Sequence, residues 1–227
     1  MIEQPSWLKM ARQYAARHRK LTGRPGFSAE SSGDRGKLYI YESIGVDWWT
    51  GGGVTAKSVV EALDGMKSAK ALDVFVNSPG GDIFEGKAIY AALRRFSGER
   101  VVYVDGIAAS AASFVAMAGD KIVTQPAATW MIHEVRASAW GATAAEARKL
   151  AEVLDLENRT FADTYARRTG QAVQDVLSWM AEETWMNAAQ AKERGFTDEI
   201  AEESGDEGEA LAAALRDATS TLRAYAR

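Results

Sequence analysis

Alternation and apolar runs divide most of the chain into strands and helices in turn. "KLYIYESI" (37–44) alternates as a strand does, and "ALDVFVNS" is continuous enough for a buried one. Between them, "TAKSVVEALDGM" sets Val59, Leu63 and Met66 on one helical face, with Thr55 as N-cap. "DIFEGKAIYAALRRF" predicts a helix with Ile83, Ala88, Ile89, Leu93 and Phe96 inward. "RVVYVD" is a third strand; Gly106 then turns the chain and a helix starts near Ser110. "KIVTQP" and "ATWMIHE" give two further strands. A long helix runs from about Thr143 to Arg168, capped by Thr143 and ended by Gly170. A shorter helix, "TWMN", a helix "AAQAKERG" and a last strand "TDEI" follow. Strands alternating with helices predict an α/β domain over 37–201. Before it, residues 1–36 read as a basic, helical N-terminal arm and the linker "FSAESSGDRG"; after it, 202–227 read as an acidic linker and a C-terminal helix.

Composition narrows the function. The 227 residues carry a net charge of −4, which gives no reason to expect nucleic acid or an anionic membrane as partner. There is no cysteine, so thiolate nucleophiles and cysteine-ligated metals are excluded. No stretch approaches the roughly 20 apolar residues of a membrane span. The opening "MIEQPSWLKMARQ" lacks a signal's apolar run, and the expected location is cytoplasmic.

Chemistry concentrates at two strand-to-helix junctions. In "VYVDGIAASAASF" a hydroxyl at 110 sits among backbone N–H groups, with small neighbours that let a peptide approach. The simpler reading of Ser110 is a helix N-cap, and of the alanines, tight packing. "VNSPGGD" (76–82) is a second junction, whose glycines let the chain bend sharply and present an N–H to a ligand. Together the two junctions offer an oxyanion hole with one donor from each. A serine nucleophile needs a base, and the chain has two histidines. His18 lies in the basic arm; His133 ends an apolar strand, where a side chain can emerge from the core into a cleft, and its simpler reading is a core histidine with a satisfied hydrogen bond. Lys87 and Lys121 are the alternative bases.

"VNSPGGDIFEGKAIYAAL", "DGIAASAASFVAMAG" and "MIHE", in this order, resemble the proteolytic subunit of the Clp protease. "VDWWTGGGVTAKSVVEAL" and "EETWMNAAQAKERGFTDEI" are similar to its branch in tailed phages and prophages, the head maturation (prohead) proteases. The resemblance covers about residues 37–201. It implies a Clp protease/crotonase-like fold of repeated strand-strand-helix units with a protruding handle helix. It implies that Ser110 is the nucleophile, that His133 is the general base, and that Ser113 is a packing residue. It sets Gly81 and Ala111 as oxyanion donors, and Glu183 as the third member of the triad, where the Clp subunit has Asp. Glu182 and Asp198 compete for that last role. It further implies a homo-oligomer in the form of a ring, joined through the long helix, and no cofactor or metal. The N-terminal arm is unlike the family's gating loops, which argues against dependence on a separate AAA+ unfoldase. The expected substrate is a scaffold or capsid protein, inside the host cytoplasm or the procapsid.

"GGGVTAKS" (51–58) approximates a phosphate loop, but Ala56 stands where the second glycine belongs, and Lys57 is more simply the first turn of an exposed helix. Trp48 and Trp49 suggest a loop beside substrate or a neighbouring subunit. Besides a serine endopeptidase, three readings remain: a crotonase-like acyl-CoA enzyme, a catalytically silent structural subunit of the same fold, and a Ser–Lys peptidase.

Overall fold

The computed structural model describes residues 27–46 and 52–202. Strand β1 (Phe27–Ser32) pairs antiparallel with β2 (Arg35–Ile40). Parallel to β2 follow β3 (Ala71–Ser78), β4 (Glu99–Ala109), β5 (Lys121–Thr124) and β8 (Glu199–Ile200), in that spatial order. The crossovers hold α1 (Ala56–Asp64), α2 (Ile83–Arg95) and α3 (Ala111–Ala116). This is the α/β class expected.

Two expectations are corrected. The stretch read as a linker is β1 and its turn into β2; beyond half-buried Phe27 its side chains are mostly polar and exposed, so it lacks the alternation that marks a half-buried strand. The chain does not turn at Gly106. β4 runs straight through it to Ala109, and changes neighbours instead. Residues 101–104 pair with β5, while 107–109 pair in parallel with β6 (Thr129–Ile132). Antiparallel to β6 lies β7 (Thr184–Asn187).

The core is one cluster under the sheet. Leu38, Ile40, Leu72, Val74, Val76, Val102, Val104 and Ile122 meet Ile89 and Leu93 of α2. Ala88, predicted inward, is exposed; Gly86 and Ala92 take the inner positions. Thr55 caps α1 through a capping box with Ser58, and Lys57 is exposed, as expected.

The long helix, α4 (Ala144–Thr169), starts at the Thr143 capping box and ends at Gly170. From Ala144 to Leu156 it is exposed except for half-buried Leu150 and Leu154, so its first half protrudes. Its second half buries Phe161 and Tyr165. The Phe161 ring lies 4.2 Å from that of Phe114 in α3, and Tyr165 lies 5.5 Å from Phe196, centroid to centroid. Such aromatic pairs add about 0.5–1.5 kcal/mol each beyond area burial; the first clamps α3 to α4, and the second ties α4 to Phe196. Helices α5 (Val173–Ala181) and α6 (Ala188–Glu193) complete the described fold. Among the described residues no helix is long and apolar enough to cross a membrane. The basic arm, Trp48, Trp49 and the C-terminal helix lie outside the described residues.

Candidate active site

Three parallel strand ends converge at one edge of the sheet, where α/β folds place their ligands. β3 leads into Gly80 and Gly81, β4 into Ser110, and β6 into His133. The register sets Ser78 beside Ala108, and Ala109 beside Met131. The Ser110 N–H extends the ladder by donating to the Met131 carbonyl at 2.9 Å. Residues 110 and 133 therefore emerge side by side because their strands are neighbours.

Ser110 has φ 54 and ψ −127, a conformation that L-residues adopt at a cost of about 1–3 kcal/mol. It precedes α3 but makes no side-chain capping bond, so the simpler N-cap reading is set aside. Its Oγ lies 2.8 Å from His133 Nε2 instead. Ser113 is fully buried; its Oγ donates to the Ser110 carbonyl at 2.6 Å and meets the Tyr165 hydroxyl at 2.8 Å. The two serines thus divide: one hydroxyl faces the imidazole, the other ties α3 to α4.

The turn at 80–81 lies against the serine's own peptide. A Cβ on Gly80 would fall 2.8 Å from the Ala111 nitrogen and 2.5 Å from the Ala109 oxygen, at φ +85. On Gly81 it would fall 2.1 Å from the Ile44 oxygen, at φ +151. Ile44 clamps the turn by donating to the Gly80 carbonyl and accepting from the Asp82 N–H, both at 2.9 Å. That bridge does not use the Gly81 N–H. Ala111 opens α3, so its N–H has no acceptor within the helix. Of the two predicted donors, Ala111 follows Ser110 directly, and Gly81 follows the Gly80 that packs on the serine's peptide.

His133 is held down to a pKa of about 4, by burial first and then by the charge of Arg136, against a smaller opposing pull from Glu183. Neutral at pH 7, it is in the form a base requires. The loop beyond it is pinned by Glu134 N–H to the Met180 carbonyl (3.1 Å) and Val135 N–H to Asn158 Oδ1 (2.7 Å). Its Nδ1 is buried and has no hydrogen-bond partner.

Glu183 stands next to His133 in the fold, since Thr184 opens β7 opposite Ile132. It too has a positive φ, 51°, and among the described residues only Ser110 and Glu183 do so without being glycine. Its carboxylate is not on the imidazole. Oε2 accepts from Arg136 Nη2 at 2.5 Å, and Oε1 from Trp185 Nε1 at 3.4 Å. Burial alone would raise its pKa; these two donors and the Arg136 charge bring it below the ordinary value. The structure therefore brings Ser110, His133, Gly81 and Ala111 together, and places Glu183 nearby but engaged elsewhere.

The competitors are occupied or remote. Lys87 pairs with Glu157 at 2.7 Å and Lys121 with Glu199 at 2.5 Å, so neither is free for Ser110. Asp198 accepts from the Ile122 N–H at 2.7 Å and from Arg168. Glu182 ends α5 on the surface, and His18 lies outside the described residues. Among the described residues, no group of three or more His, Asp or Glu side chains is placed to hold a metal ion. Sequence reasoning missed Arg136 and Trp185; a basic residue three places after the candidate base was the one available signal.

Comparison with known proteins identifies the family and the fold. Residues 52–204 match the family model described as Clp protease. The chain is 34% identical over 131 residues to the ATP-dependent Clp protease proteolytic subunit 1 of Corynebacterium jeikeium, covering 57% of this chain and 69% of that protein. It is 31% identical over 141 residues to the corresponding subunit of Chlorella vulgaris, covering 61% and 70%. A solved structure, a mutant of ClpP1 from Listeria monocytogenes, shares the fold with a TM-score of 0.64 at 22% identity, over 74% of this chain and 92% of that one.

Proposed function

The chain belongs to the Clp protease family, and on that premise we propose that it is a serine endopeptidase acting through Ser110, His133 and Glu183. The observation that carries this reading is the 2.8 Å contact between Ser110 Oγ and His133 Nε2 at the shared end of β4 and β6.

The chemistry follows from the atoms present. With its proton on Nδ1, His133 accepts the Ser110 proton at Nε2 while Oγ attacks a peptide carbonyl carbon. The oxygen that gains the charge receives the N–H groups of Gly81 and Ala111. His133 returns its proton to the leaving nitrogen, the C–N bond breaks, and an acyl-serine ester remains. Water then attacks that ester, giving one proton to His133; the C–O bond breaks and the proton returns to Ser110. Glu183, turned onto Nδ1, stabilises the imidazolium in both halves. Neither metal nor nucleotide enters these steps.

A crotonase-like enzyme has no use for a Ser–His contact, and a Ser–Lys peptidase needs a free lysine where Lys87 and Lys121 are both paired. For assembly we propose a homo-oligomeric ring, with the protruding half of α4 as its joint and the active sites facing an enclosed space. For substrate we propose scaffold or capsid protein during phage head maturation, on the likeness of residues 46–63 and 182–200 to that branch. Incubation with a phage capsid precursor checks this: cleavage by the native chain is expected, and none by Ser110→Ala.

The direct test is covalent labelling with a fluorophosphonate. The native chain is expected to label on Ser110. Ser110→Ala, folded by circular dichroism, is expected to lose labelling, and peptide hydrolysis by about 10⁴-fold or more. Labelling at full rate in Ser110→Ala overturns the assignment.

A further inference from the structure

We propose that Arg136 is a positioning residue that withholds the Glu183 carboxylate from His133, so that the chain folds with a formed Ser–His dyad and a latched acid. The inference rests on the reading of Glu183 as the acid of the triad, and adds what controls it.

Three observations converge. First, His133 Nδ1 is the one buried side-chain nitrogen or oxygen among the described residues that lacks a hydrogen-bond partner. A protein of this size leaves few such atoms unpaired, and here it falls on the atom a triad needs paired. Second, a carboxylate stands close enough to act on the imidazole, yet both its oxygens are taken, by Arg136 and Trp185. Third, Arg136 follows His133 by three residues, so the cation that holds the acid travels with the base.

The relative strengths favour a reversible latch. The Arg136 and Glu183 side chains are 52% and 27% exposed, and ion pairs open to water contribute little. Against that stands a buried, unpaired ring nitrogen, which costs more. The backbone of Glu183, at φ 51, is already strained where the carboxylate would swing. The charged groups acting on the imidazole are Arg136 and Glu183. While the latch is closed, Arg136 opposes the positive charge that His133 must carry during reaction. Drawing Arg136 away removes that opposition and frees Glu183 for Nδ1.

The full chain, with Arg136→Gln, Arg136→Met, Arg136→Lys and the double variant Arg136→Gln with Glu183→Gln, tests this by fluorophosphonate labelling rate. Arg136→Gln and Arg136→Met are expected to label about tenfold faster than the native chain, and Arg136→Lys at close to the native rate. The double variant is expected to lose most of the gain, because the part supplied by Glu183 is removed, which a merely structural role for Arg136 would not predict. The His133 imidazole, followed by NMR, is expected to titrate above its native value in Arg136→Gln. If the Gln and Met variants, either or both folded, label no faster than the native chain, the latch is overturned. A gain that survives in full in the double variant overturns it too. Failure of every chain, native included, to label overturns the serine reading itself.

Discussion

Among the described residues, the two non-glycine residues with positive φ, Ser110 and Glu183, both neighbour His133 and are held in different ways. Ser110 is fixed by backbone: a ladder bond to Met131, the glycine turn packed on its peptide, and α3 clamped beneath it. Glu183 is fixed by side chains: a guanidinium and an indole, both partly open to water. Backbone pairing in a sheet moves only when the sheet moves. Side-chain pairs at a surface exchange partners at little cost. The nucleophilic half of the site is thus preorganised, and the acidic half adjustable.

The sharpest way to break this contrast is to disturb the backbone-held half. Gly80→Ala forces a Cβ onto the Ala109 oxygen and the Ala111 nitrogen, at a φ that alanine resists. It is expected to slow fluorophosphonate labelling by about 10²-fold, through displacement of the oxyanion donor, while far-UV circular dichroism stays native.

Titration sharpens the contrast at the shared imidazole. With His133 at about 4, labelling by the native chain is expected to hold level from pH 8 to near 5 and to fall only as pH drops through about 4. The sign for stability follows from the same shift. Between pH ~6.5 and ~4 the unfolded chain binds a proton that folded His133 does not. Its contribution is therefore fully present above pH ~6.5 and is lost as pH falls towards 4. Thermal melts of the native chain and His133→Gln across that range are expected to converge at the acid end.

The smallest effect on rate is expected from the other serine. Ser113→Ala leaves the Tyr165 hydroxyl, buried with a pKa pushed above its ordinary value, without its partner. Denaturant unfolding is expected to show a loss of about 1–3 kcal/mol, with labelling changed less than threefold.

What could be read in advance follows the same division. α4 was legible almost residue by residue, because Thr143 and Gly170 mark its ends and apolar spacing its face. Ser110 was legible as a hydroxyl at a helix start just beyond an apolar strand and His133 as the close of one, and strand ends meet at one edge of such a sheet. β1 was not, since an exposed edge strand need not alternate. Nor was the course of β4: a glycine inside a strand looks the same as one that ends it. The hold of Arg136 on Glu183, 47 residues away, depends on which of two arrangements a pair of long side chains adopts, and periodicity carries no record of that.

β4 spends its first stretch beside β5 and its last beside β6. Because side chains alternate along a strand, a slip of a single residue would turn position 110 to the opposite face of the sheet. Two neighbours gripping different parts of one strand resist that slip independently, so the reactive hydroxyl keeps its aim even if one of the two seams loosens.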